Sequence, residues 1–108
     1  MIRIEEYVSE GASPFRRWFD DLDAPAAAAV TVAIERLAEG NTSNVKPIGE
    51  GAAELKINRG PGYRIYFGWD GKTLVILLGG GTKRRQQNDI EAALRRWRDY
   101  KKRKRSEG

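Results

Sequence analysis

Between Glu54 and Gly79 the chain carries three short stretches rich in apolar residues, Glu54 to Asn58, Tyr63 to Trp69 and Lys72 to Gly79, separated by Gly60-Pro61-Gly62 and by Asp70-Gly71. Both separators are turn chemistry, because glycine accepts positive φ and proline presets the φ of a turn's first corner. Stretches this close together leave no room for crossover helices, so the spacing predicts an antiparallel meander. Its last member, Leu74-Val75-Ile76-Leu77-Leu78, is apolar on both faces. It therefore belongs inside a sheet, covered on both sides.

The flanking segments supply the layers. Ile2 to Val8 alternate as a half-buried strand, with Ile2, Ile4 and Val8 on one side and Arg3, Glu5 and Tyr7 on the other. Ser13-Pro14 opens a helix in which Phe15, Trp18, Phe19 and Leu22 form one stripe, and Asp23-Ala24-Pro25 starts a second with Val30, Ile34 and Leu37 on a face. Gly40-Asn41 ends that helix, and residues 41–52, lacking apolar periodicity, read as a loop. After Gly79-Gly80-Gly81, taken as a flexible connection, Ile90, Leu94 and Trp97 mark a final amphipathic helix. The expected order is β-α-α-β-β-β-α, an α+β domain over residues 1–100, with a basic tail at 101–108 and a helical hairpin on one sheet face.

Composition narrows the chemistry. With neither Cys nor His among 108 residues, the chain has no thiol nucleophile, imidazole base or ordinary zinc site, and neither a metal nor a cofactor is expected. Carboxylates, Lys, Arg, Tyr and hydroxyls remain. No apolar run approaches the ~18 residues of a membrane span, so the expected location is the cytoplasm and no membrane partner is expected. The net charge of +5 is unevenly spread. Up to Thr82 there are nine cations and eleven carboxylates; after it there are eleven and four. Such a segment, ending in Lys101, Lys102, Arg103, Lys104 and Arg105, suits a polyanion or an acidic protein surface, or else complements the dipole of a solvated helix end.

A two-residue turn at Asp70-Gly71 places Leu55, Ile57, Tyr63, Ile65, Phe67, Leu74, Ile76 and Leu78 on the core face. The opposite face then gathers Glu54, Lys56, Arg64 and Tyr66, with Val75 and Leu77 beside them and Arg64 across from Leu77. Lys83, Arg84 and Arg85 follow at the same edge. This suits a phosphodiester: Arg64 as a fork on the phosphate, Lys56 or Lys83 neutralising charge in the transition state. The plainer reading pairs Arg64 with Glu54. Tyr66 is a base-stacking candidate, and Gln87 and Asp89 are substrate contacts, although Asp89 before Ile90 also serves as an N-cap.

Glu54-Leu55-Lys56-Ile57, Gly60-Pro61-Gly62-Tyr63-Arg64-Ile65-Tyr66-Phe67, Leu77-Leu78-Gly79-Gly80-Gly81-Thr82-Lys83, and Gln87 with Asp89-Ile90 together resemble the addiction-module killer proteins, the HigB-type branch of the RelE/ParE toxin superfamily. The resemblance covers nearly the whole chain. It implies a RelE-like fold and a toxin of a bacterial type II toxin–antitoxin pair. The implied partners are a small helix-turn-helix antitoxin, mRNA and the ribosome. It also implies metal-independent mRNA cleavage, by attack of the ribose 2′-OH on the adjacent phosphate, that inhibits translation. By position, Arg64 matches the strand arginine at the scissile phosphate, Lys83 or Arg84 the basic residue after the last strand, and Lys56, more loosely, a strand lysine. Residues 86–90 read Gln-Gln-Asn-Asp-Ile where relatives place Tyr or His, leaving Glu54 and Asp89 as candidate bases. Arg84, Arg85, Tyr66, Gln87 and Lys101 to Arg105 are the expected RNA contacts. The rivals are a ParE-like gyrase inhibitor that cuts nothing and a basic RNA-binding module without activity.

Overall fold

The computed structural model describes residues 1–107. A five-stranded sheet lies between two helical layers. In chain order the elements are β1 (Arg3–Glu6), α1 (Pro14–Asp20), α2 (Ala24–Ala38), β2 (Val45–Gly49), β3 (Ala52–Ile57), β4 (Tyr63–Asp70), β5 (Leu74–Thr82), a 3-10 turn (Lys83–Arg85) and α3 (Gln86–Glu107). The strands run β1-β5-β4-β3-β2 across the sheet, with β1 parallel to β5 and all other neighbours antiparallel. This is the expected α+β architecture with one strand more than the sequence predicts. No helix among the described residues is long and apolar enough to cross a membrane.

The added strand is β2, inside the segment expected to be a loop. It offers only Val45 and Ile48 to the interior, and Pro47 is tolerated because β2 is an edge strand whose outer side needs no ladder donor. At the other edge β1 ends at Glu6. Ile2 and Ile4 pack toward the helical hairpin, Tyr7 packs on the opposite side, and Val8 is exposed rather than core.

Both helices of the hairpin start as the sequence predicts. The Ser13 hydroxyl accepts from the Arg16 N–H at 3.0 Å, and an Asp23 carboxylate oxygen from the Ala26 N–H at 2.9 Å. Each start has proline in its first turn, where the missing N–H costs nothing. Phe15, Val30 and Leu37 bury against Leu55, Ile57, Ile65 and Phe67.

The register of β5 differs from expectation. Asp70 pairs with Leu74, so Gly71-Lys72-Thr73 makes a three-residue loop instead of a two-residue turn. An odd shift in pairing sends every side chain to the other face. Val75 and Leu77 therefore join the hairpin-side core, whereas Leu74, Ile76 and Leu78 face α3. A further irregularity between Tyr66 and Phe67 skips Leu78 and sets Arg64 opposite Gly81, not Leu77.

Gly79-Gly80-Gly81 is thus strand, not connector, and two of its glycines are there for close approach. A Cβ at Gly80 would fall inside the Trp18 ring, and one at Gly81 would collide with the Asp89 carboxylate. Helix α3 is laid down by the same device. Trp97 sits on Gly68, donates its indole N–H to the Glu50 carbonyl at 2.7 Å and stacks on Tyr100 at 5.4 Å between centroids. The 22-residue helix runs straight through the segment expected to be a tail. Its start is also earlier than expected. Thr82 precedes the 3-10 turn, α3 begins at Gln86, and Asp89 lies within the first helical turn rather than at an N-cap.

Candidate phosphate-binding cleft

At the end of the sheet where the β3–β4 turn meets the start of the 3-10 turn, Lys56, Asn58, Arg59, Gly60, Pro61, Gly62, Arg64 and Lys83 line an open cleft of about 470 Å³. Lys56 and Arg64 are cross-strand partners on the α3 face. Arg59 is carried by the turn, and the Lys83 N–H donates to the Gly62 carbonyl at 3.0 Å, tying the two turns together. Gly62 holds φ at +75°, and a side chain there would crowd the Arg64 guanidinium and Lys83. Four cations and no carboxylate line this cleft, an arrangement that favours a dianion or a phosphodiester.

Arg64 contributes from beneath. It is 5% exposed; Nη1 donates to the Gly62 carbonyl at 2.8 Å, and Nε lies 3.4 Å from Glu54 Oε2 without a hydrogen bond. The plainer expectation, a buried Arg64–Glu54 pair, is what the fold builds. Arg64 therefore forms the floor of the cleft and supports its rim, while Lys56, Arg59 and Lys83 are exposed.

Glu54 does not meet the needs of a general base. It is 4% exposed, faces Arg64, and accepts both hydrogen bonds of Gln86 Nε2, at 2.8 and 3.0 Å. Gln86 is a residue that sequence reasoning missed; its signal was the Gln86-Gln87 pair directly after the basic turn. Arg59 was missed as well, although it precedes the Gly60-Pro61-Gly62 turn and stands three residues from Lys56.

Tyr66 is not a stacking platform, being 1% exposed with a buried hydroxyl that has no partner, and burial raises its pKa. Asp89 lies outside the cleft. Its carboxylate rests on Gly81, and burial pushes its pKa up against the opposing charges of Arg85 and Arg96. Gln87 is exposed and only bridges to Glu91 at 3.3 Å. Arg84 and Arg85 are exposed beside the cleft and form no ion pair among the described residues.

The C-terminal cations divide. Lys101 reaches the Glu50 carbonyl and the Trp97 ring, Arg103 binds Asp99, the Val8 carbonyl and Ser9 Oγ, and Lys104 pairs with Asp70. These three hold α3 against the body. Lys102 and Arg105 stay exposed.

Residues 17–98 match the family described as Phage derived protein Gp49-like (DUF891), a span that includes every residue lining the cleft. An uncharacterized protein of Haemophilus influenzae is 40% identical over 80 residues, covering 73% of this chain and 81% of the relative. The family match spans most of the chain and the sheet is compatible with a RelE-like fold, and the chain belongs to the phage-derived Gp49-like family, a toxin-like family of the RelE/HigB type.

Proposed function

We propose that the protein is the toxin of a type II toxin–antitoxin pair and acts by cutting mRNA on the translating ribosome. The observation that carries this reading is the convergence of exposed Lys56, Arg59 and Lys83 above the Glu54-paired Arg64, on one cleft whose lining holds no carboxylate. When a ribose 2′-OH attacks its neighbouring phosphate, negative charge builds on the phosphoryl oxygens. Fixed cations close to that charge stabilise the transition state more than the ground state. The cleft cations thus do the electrostatic work that a metal ion does elsewhere. Lys56 and Lys83 are the proton donors available to the departing 5′ oxygen. The lining offers no carboxylate for the 2′-OH proton, which passes to water. The products are a cyclic phosphate and a free 5′-OH. A helix-turn-helix antitoxin and the ribosome are the partners this reading requires.

The test is expression of the chain without its neighbouring gene, mapping the 5′ ends of cellular RNA for wild type and Lys83→Ala. Lys83 is exposed, so its loss leaves the fold and removes cleavage. Growth arrest with intact mRNA would refute the nuclease and favour a gyrase-binding toxin.

A further inference from the structure

Between α2 and the end of β3 lies a groove of about 430 Å³. It opens because β3 outruns its edge strand. Strand β2 begins at Val45, opposite Leu55, and the Lys56 N–H donates to the Asn44 carbonyl at 3.0 Å before the chain turns away. Ile57, Asn58 and Arg59 therefore have no neighbouring strand on that side, and α2 supplies the facing wall.

That wall is Ala28, Ala29, Val32, Ala33 and Arg36, positions that share one helical face. Leu55 and Ile57 lie beneath it. Val32 is 43% exposed; the other large apolar side chains that stand as free among the described residues, Met1 and Val8, do not line the groove. The three alanines leave room for a second helix to approach closely, with axes about 8–10 Å apart. From Ala28 to Arg36 the wall is about 12 Å long, a little over two helical turns.

Charge is sorted across α2. Arg36, Lys56 and Arg59 are exposed around this groove, and no carboxylate lines it. The cavity on the β1 side of the same helix is lined instead by Glu5, Glu6 and Glu35, and its one cation, Arg16, is paired with Glu6. The complement of the groove is thus a helix with an apolar strip flanked by carboxylates. RNA fits it poorly, because no aromatic side chain lines the groove to stack a base.

Lys56, Asn58 and Arg59 line the groove and the cleft alike. A carboxylate that pairs with Lys56 or Arg59 competes with a phosphate for the same cation. We infer that the groove docks an acidic amphipathic helix of the antitoxin, and that the docked helix silences the cleft by drawing Lys56 and Arg59 away from phosphate. The inference rests on the toxin–antitoxin reading for its partner.

The test is co-expression with the product of the neighbouring gene, followed by hydrogen exchange on the purified complex. The expected result is slowed exchange over residues 28–36 and 55–59, with growth restored. Val32→Asp and, separately, Arg36→Glu place a negative charge in the groove without touching the cleft. Each should keep the wild-type melting curve and RNA cleavage, bind the partner at least roughly tenfold more weakly, and kill cells despite it. A 2′-O-methyl oligonucleotide, which lacks the attacking hydroxyl, should compete with the partner. Slowed exchange confined to another surface, with both variants still neutralised, would overturn the groove and leave the toxin–antitoxin reading standing. Absence of any complex would overturn both, while the 5′-end maps judge cleavage on their own. Slowed exchange over residues 28–36 with the oligonucleotide alone would make the groove an RNA track and overturn the inference.

Discussion

Replacing Arg64 by alanine separates a structural arginine from a purely chemical one. The substitution deletes a guanidinium whose side chain is 6% exposed and strands the Glu54 carboxylate, also 6% exposed, with Gln86 as its remaining donor. Breaking a buried pair from one side costs about 3–5 kcal/mol, because the surviving charge stays desolvated. The 3.4 Å separation, with Nε not hydrogen-bonded, places this pair at the lower end of that range. Loss of the 2.8 Å bond to the Gly62 carbonyl adds about 1 kcal/mol. The sum, about 4 kcal/mol, takes a large share of the ~5–15 kcal/mol that holds a domain folded. For a chain of this size it lowers Tm by roughly 20 °C. Circular-dichroism melts measure it directly, and a double variant, Arg64→Met with Glu54→Leu, should recover most of the loss, since no charge is then left buried. If Arg64→Ala melts within about 4 °C of wild type, a loss under about 1 kcal/mol, the buried pair carries no weight and the account of Arg64 as the supported floor of the cleft is wrong.

Three further outcomes follow from the same geometry. Tyr66→Phe removes a buried hydroxyl that has no partner, so urea titration should show stability unchanged or slightly raised, by at most about 1 kcal/mol; a loss above about 2 kcal/mol would mean the hydroxyl is bonded. Gly68→Ala drives a methyl into the Trp97 ring and should cost about 1–3 kcal/mol by overpacking, weakening the attachment of α3 and quenching the protection of its amides in hydrogen exchange. Hydrogen bonds from Lys104 and Tyr100 hold the Asp70 carboxyl below its usual 3.8. A carboxyl lowered by folding stabilises the native state above its unfolded pKa and loses that contribution as pH falls through the folded one. Asp70→Asn should therefore be less stable than wild type at pH 7 and converge with it below about pH 4; parallel curves down to pH 2 would show that Asp70 is not linked to folding.

What the sequence made legible was whatever depends on neighbours in the chain. Ser13-Pro14 and Asp23-Ala24-Pro25 announced the helix starts, and the meander followed from its turns, because caps and turns are local chemistry. The faces of β5 were lost through one residue of loop length. Asp70-Gly71 suggests a two-residue turn, and nothing local shows that Lys72 and Thr73 extend it. Strand β2 was hidden because Val45 and Ile48 are too few to make a period and Pro47 argues against pairing. The cleft cations Lys56, Arg64 and Lys83 were identified from the chain, yet Arg64 is buried against Glu54, which Gln86 at the start of α3 braces from 32 residues away. The C-terminal cations were hardest: Arg103 finds Val8 and Ser9, and Lys104 finds Asp70, across separations that no periodicity reports.

Those distant attachments bear on how the molecule comes into being. Helix α3 fastens to the segment after β1 through Arg103, to the β2–β3 turn through Trp97 and Arg98 at Glu50, and to the β4–β5 turn through Tyr100 and Lys104 at Asp70. Until it arrives, Tyr7, Ala52, Tyr66, Ile76 and Leu78 have no cover and Arg64 has no Gln86-braced partner. Because synthesis delivers α3 after all five strands, an emerging chain carries an open, sticky sheet whose basic floor is unset. The ribosome must therefore release most of the sequence before the cleft acquires its shape, and a nascent chain holds its cations without the arrangement that would let them act together.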